Sequence, residues 1–214
     1  MKTRIAVLVS GGGTNLQALI DARDRGELPH GDLSLVVSNN AGAYALERAA
    51  KAGIPTALCL RQKGEPRAAF ESRLLAILGE NRIEMLVLAG FMAILSADFV
   101  SRYPNRIINV HPSLIPSFCG EGFYGLRVHR AALDYGVKVT GATVHYVNEI
   151  PDGGKIICQK AVDIREDDTP ETLQRRVMEQ AEWVLLPRAA EKVARELGMR
   201  NEEWSCQSHR DLSD

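Results

Sequence analysis

Residues 5–20 read IAVLVSGGGTNLQALI: an unbroken apolar, β-branched run, three glycines, then apolar residues at helical spacing. A short run without polar alternation suits a strand buried on both faces. The glycine turn feeding a helix makes this stretch the first half of a βαβ unit. The same unit repeats outward from it. Residues 33–38 (LSLVVS) and 85–90 (MLVLAG) read as buried strands, and residues 15–25, 43–52 and 67–80 carry helical patterns. Residues 55–60 and 106–110 supply further strands. Strand alternating with helix implies right-handed crossovers and an open, mostly parallel α/β sheet flanked by helices.

After about residue 138 the texture changes. Residues 139–147 (VTGATVHYV) and 156–164 (IICQKAVDI) are strands joined by the turn-rich EIPDGG, which predicts a C-terminal antiparallel extension. Thr169 is placed to cap a helix with Pro170 at its first position. That helix runs toward Glu196, with a break expected near Pro187. Residues 1–200 are thus expected to form one domain, and residues 201–214 a polar, frayed tail.

Composition narrows the function classes. Lys and Arg number 26 against 27 Asp and Glu, so no charge excess draws the chain to nucleic acid or anionic membrane. No apolar run approaches the roughly 18 residues of a membrane span. The N-terminus lacks a signal-peptide cleavage pattern. Cys59, Cys119, Cys158 and Cys206 are far apart with no CxxC pair, which points to reduced thiols and a cytoplasmic location. His30, His129 and His209 have no partner at metal-ligand spacing, so no metal is expected.

Two constellations carry chemistry. In Ser10-Gly11-Gly12-Gly13-Thr14-Asn15, glycines let backbone N–H groups approach an anion, and the following helix adds its dipole. The loop has no Walker Lys-Ser/Thr and no GxGxxG, so it suits a phosphate rather than a dinucleotide. The plain alternative is a tight βα turn. In NVHPSLIP, residues 109–116, Asn109 and His111 share one face at the carboxyl end of a strand. An amide and a protonated imidazole there could hold an oxyanion; the plain alternative is a structural pair. Asp152, in PDGG, would raise the His111 pKa if it lay nearby, or is an ordinary turn aspartate. His145 alternates with apolar neighbours and either lines the cleft or is a core histidine. No Gly-x-Ser-x-Gly elbow is present.

The ordered set SGGGTN, LAGFMAILS, NVHPSLIPSF, GATVHYV, PDGGKII and Asp168-Thr169 resembles the folate-dependent formyltransferases over residues 3–197. The resemblance implies a Rossmann-like formyltransferase fold, with a phosphate-binding half at about 1–105 and a folate and catalytic half at about 106–200. It also implies 10-formyltetrahydrofolate as co-substrate and no metal. The branch resembled most formylates the amine of 5'-phosphoribosylglycinamide (GAR) and works on these small molecules as a monomer or homodimer. Position by position, Asn109, His111 and Asp152 match the catalytic trio. Gly13, Thr14 and Asn15 match the GAR phosphate site, and Glu179, Gln180 and Glu182 the other GAR contacts. Arg67, Met92, Ala93, Ile94, Leu95, Asn109, Asn148, Glu149, Ile150, Pro151 and Asp152 match the folate pocket.

Three departures stand out. Ala93 replaces an arginine of some relatives, leaving backbone contacts there. Trp183 follows Glu182 where the family usually has His, and the spacing from Arg176 is one residue long. Residues 119–125 exceed the connection expected before His129, either as a lid or as a family variant. Related activities imply other features. Formyltetrahydrofolate hydrolase usually carries an N-terminal regulatory domain, and methionyl-tRNA formyltransferase a C-terminal β domain and basic surface. A non-enzymatic sugar-phosphate binder would keep the glycine loop but give the trio no shared purpose.

Overall fold

The computed structural model describes the backbone of residues 2–210 and the side chains of residues 2–200. One seven-stranded sheet runs in the order β3-β2-β1-β4-β5-β6-β7. β1 (Thr3–Val9), β2 (Gly31–Ser38), β3 (Thr56–Leu58), β4 (Met85–Leu88) and β5 (Ile107–His111) are parallel. β6 (Val139–Tyr146) and β7 (Ile156–Asp163) extend the sheet antiparallel. The expected α/β sheet with an antiparallel extension is therefore observed.

The apolar strands bury both faces because helices cover both. Ile5, Val7 and Val9 join one core with Leu16 and Leu19 of α1 (Thr14–Asp24) and Leu186 and Ala190 of the C-terminal helix. Ala6 and Leu8 point the other way, to Leu74 and Leu78 of α3 (Arg67–Glu80) and Phe99 of α4 (Ala97–Ser101). α2 (Tyr44–Lys51) packs beside α1. Among the described residues, no helix is long and apolar enough to cross a membrane.

Several expectations are corrected. α4 and α5 (Leu126–Tyr135) had no clear periodic signal, the first being one turn long and the second half exposed. The C-terminal run does not break at Pro187. α6 (Pro170–Val177) passes into a π turn, Met178–Glu182, and then into α7 (Trp183–Arg210), which carries Pro187 inside it. A π turn widens the ladder by one residue, so the extra residue after Arg176 is absorbed there, ahead of the proline that lacks an N–H. α7 also continues to Arg210, where a frayed tail was expected; residues 201–210 contain neither Gly nor Pro to stop it. Residues 211–214 of that expected tail lie outside the described residues. Thr169 does cap α6, its hydroxyl accepting from Thr172 N in a reciprocal capping box.

Candidate active site

β1 lies between β2 and β4, so the chain leaves β1 toward one edge and returns to build the other. Loops after β1 and β4 diverge at this switch point, and a crevice opens at the carboxyl ends of the strands. The crevice is a cleft of about 710 Å³, within the usual range for small-molecule sites.

The glycine loop reaches the cleft through Asn15. Gly13 stands at the N-cap of α1 with φ 72°, and a Cβ there would lie 2.6 Å from the Ala45 Cβ, so only glycine fits. Arg48 Nε donates to Gly12 O at 2.8 Å, and Met92 N donates to Ser10 Oγ at 2.9 Å, tying the loop to α2 and to the segment after β4. Among the described residues no side chain caps α1, so its first N–H groups are open to a ligand. Asn15 turns into the cleft and donates from Nδ2 to Glu182 Oε2 at 2.7 Å. Its Oδ1 is buried without a partner. Glu182 is 6% exposed. Burial pushes its carboxyl up to about 7, against the pull of the Asn15 hydrogen bond.

The trio assembles at the other side. Strand register sets Asn109 opposite His145 and His111 opposite Thr143. The loop after β6 then curls back to bring Asp152, at φ 55°, beside both. That tight return needs Gly154, where a Cβ would sit 1.7 Å from Tyr146 O. Asp152 Oδ2 lies 3.3 Å from His111 Nδ1, and Asn109 Nδ2 reaches Asp152 Oδ1 at 3.4 Å. His145 is drawn in as well. Its Nδ1 donates to Tyr146 O at 2.8 Å, which leaves Nε2 to accept from Asn109 Nδ2 at 3.2 Å. One amide hydrogen of Asn109 is thus committed to His145, and the other makes a long contact that a substrate oxygen can replace.

Residues 118–125 cover this corner. His111 Nε2 donates to Phe118 O at 2.9 Å, and Gly120 N donates to Asp152 Oδ2 at 2.9 Å. Glu121, Phe123 and Tyr124 help line the cleft, so the long segment stands as a wall over the trio. The expectation of a resting imidazolium is corrected. Burial lowers the His111 pKa more than the Asp152 carboxylate and the Phe118 carbonyl raise it, and His145 adds to the lowering. Burial pushes Asp152 up, yet the neighbouring His145 and His111 rings and the Gly120 N–H together hold it below the ordinary aspartate value.

Other expected site residues divide. Met92, Ala93, Ile94 and Pro151 line the cleft, with Met92 and Ile94 more than half exposed at its rim. Leu95 instead packs in the core. Arg67, the first residue of α3, is exposed and does not line the cleft. Asn148, Glu149 and Ile150 form the outer turn, where Asn148 Oδ1 accepts from Ile150 N. Gly13 stays behind the rim, and Thr14 lines a separate cavity of about 270 Å³ with Arg48 and Trp183. Glu179 and Gln180 are exposed. The cleft takes Gln174, Met178 and Glu182 instead, an i, i+4, i+8 stripe that helical spacing from Glu182 could have found. Among the described residues, no group of three or more His, Cys, Asp or Glu side chains is arranged to hold a metal ion.

The family model described as formyl transferase matches residues 3–189. The chain is 45% identical over 194 residues to the trifunctional purine biosynthetic protein adenosine-3 of Bos taurus, covering 90% of this chain but 18% of that one. The chain thus spans under a fifth of the length of that relative. It is 37% identical over 178 residues to the chloroplastic phosphoribosylglycinamide formyltransferase of Arabidopsis thaliana, covering 83% of this chain and 61% of the relative. Among solved structures, glycinamide ribonucleotide transformylase 1 of Symbiobacterium toebii superposes with a TM-score of 0.84 at 40% identity, covering 91% of this chain and 89% of that one.

Proposed function

The chain belongs to the formyl transferase family, and from that premise we propose that it moves the formyl group of 10-formyltetrahydrofolate to the amine of GAR. The products are phosphoribosyl-N-formylglycinamide and tetrahydrofolate, a step of purine biosynthesis. One observation carries the reading. A single cleft is lined by Asn15 and Glu182 on one side and by Asn109, His111 and Asp152 on the other. Two substrates held there would meet at the trio, converting a bimolecular reaction into one between positioned groups.

The glycine loop and the open N-terminus of α1 suit the GAR phosphate, and the Asn15–Glu182 pair suits its glycinamide end. Met92, Ala93 and Ile94 offer an apolar rim to the folate ring. As the amine attacks the formyl carbon, negative charge develops on the formyl oxygen. The free N–H of Asn109 and an N–H of His111 are the donors near that charge. His111 is held below its ordinary pKa at rest. The growing oxyanion and the ionised Asp152 both favour its imidazolium, so His111 becomes the better donor as the charge appears. Its Nε2 must first leave the Phe118 carbonyl, which makes movement of residues 118–125 part of substrate entry.

The test is to incubate the protein with 10-formyltetrahydrofolate, with and without GAR, and to follow tetrahydrofolate release. Release that depends on GAR is expected. Release without GAR would point to a hydrolase, and no release in either case to a binding protein.

A further inference from the structure

Two anionic substrates would enter a cleft that offers them no cation. Among the described residues, no lysine or arginine lines it, whereas Glu121, Asp152 and Glu182 do. The GAR phosphate has the glycine loop and the open N–H groups of α1. The folate has no such counterpart. Its benzoyl group carries a glutamate with two carboxylates, and Arg67 is exposed outside the cleft while Ala93 brings no charge.

The long segment before α5 supplies a cation. Tyr124 lines the cleft and is 45% exposed. The Arg127 guanidinium lies over the Tyr124 ring, 4.8 Å from its centroid. Arg127 N donates to Tyr124 O at 3.2 Å, so the turn into α5 fixes the two residues against each other. The segment is also tied to the trio: Gly120 N donates to Asp152 Oδ2 at 2.9 Å, and Phe123 N to Gly120 O at 3.2 Å.

Two features set Arg127 apart from a structural arginine. Among the described residues, no carboxylate pairs with its exposed guanidinium and no acceptor takes its side-chain N–H groups. It also stands in the first turn of α5, where the helix dipole disfavours a cation and no acidic residue offsets it. The fold gains little from a charge there, whereas a bound anion would be favoured by the guanidinium and the dipole together. The aromatic face beneath it holds the guanidinium in place and leaves its N–H edge for a carboxylate.

We infer that Arg127, held over Tyr124, is the specificity-determining residue for the glutamate end of the folate. This rests on the reading of the cleft as a formyl-transfer site. Transfer requires N10 at the trio, and the benzoyl group is bonded to N10. The tail therefore runs outward from the trio, along the segment that Gly120 ties to Asp152. Tyr124 is the wall it passes, and Arg127 gives paired N–H donors to a carboxylate at its end. The charge is exposed, so its hold weakens with salt.

The experiment measures KM for 10-formyltetrahydrofolate and for 10-formyltetrahydropteroate, which lacks the glutamate, in wild type and in Arg127→Gln. Wild type should favour the folate about 10-fold in KM at low salt, and about 1 M salt should erase most of the preference. Arg127→Gln should raise KM for the folate about 10-fold and leave kcat, KM for GAR and KM for the pteroate unchanged. Equal KM for the two donors in wild type overturns the inference. So does a rise in Arg127→Gln that both donors share, which would make the Arg127–Tyr124 pair a brace for the segment. Should Arg127→Gln not fold, the comparison of donors and salt in wild type decides alone. Transfer without a preference for the folate leaves the functional reading intact, whereas no GAR-dependent transfer with either donor overturns both.

Discussion

Two carboxylates of the C-terminal helical run show opposite solutions to burial. Asp168, just before α6, accepts from both Arg176 terminal nitrogens at 2.5 Å, from Arg165 N at 2.8 Å and from Thr172 Oγ1 at 3.0 Å. The Arg176 hydrogen bond leads in drawing its pKa down to about 2. Glu182, at the end of the π turn, has the single Asn15 donor, and burial lifts it to about 7. The first is saturated and holds the fold together. The second retains unmet hydrogen-bonding capacity beside a cleft, which is the condition of a group that waits for a ligand.

The largest effect is expected at the ligand-facing side. His111→Ala should lower turnover about 100- to 1000-fold, the usual loss for one oxyanion donor, while GAR and folate still bind in equilibrium titrations. Near-normal turnover would break the assignment of the trio to chemistry.

On the structural side, Asp168→Asn should destabilise the fold by roughly 3 kcal/mol, as when one partner of a buried ion pair is removed, and leave KM for GAR unchanged. The folded pKa of Asp168 is depressed, so its contribution is present above about 3.8 and disappears as pH falls through about 2. Thermal melts of both proteins near neutral pH measure the difference. A variant as stable as wild type would show that the saturated pair is not structural.

The smallest effect is the pH dependence of Glu182. Its folded pKa is raised, so the folded state binds the proton more tightly than the unfolded state does. Stability therefore falls as pH rises between about 4.5 and 7. Glu182→Gln removes this fall. The variant should equal wild type below about 4.5 and exceed it above about 7. Parallel melting curves across that window would contradict an uncompensated carboxyl.

The parallel core was legible because IAVLVS, LSLVVS and MLVLAG are buried on both faces and need no alternation to be read as strands. The Thr169 cap was legible from local chemistry alone. Asn109 and His111 could be placed on one strand face, but whether Asp152 reached them depended on the return of the loop after β6, a tertiary fact that spacing does not encode. The charge state of His111 was misjudged because its carboxylate partner is visible as a motif, whereas the burial that outweighs it is not. Glu179 and Gln180 are exposed and outside the cleft, the motif having been matched by neighbours in sequence. Side chains next to each other on a helix point some 100° apart, and the π turn shifts the register further.

The central claim is that Glu182 serves the ligand and Asp168 the fold, and the affinity for GAR tests it most directly. Titration calorimetry of GAR into wild type, Glu182→Gln and Asp168→Asn should show about 10- to 100-fold weaker binding for the first variant, the usual worth of a hydrogen bond to a charged group. It should show wild-type affinity for the second. Unchanged GAR affinity in Glu182→Gln, or an equal loss in both variants, would contradict the account.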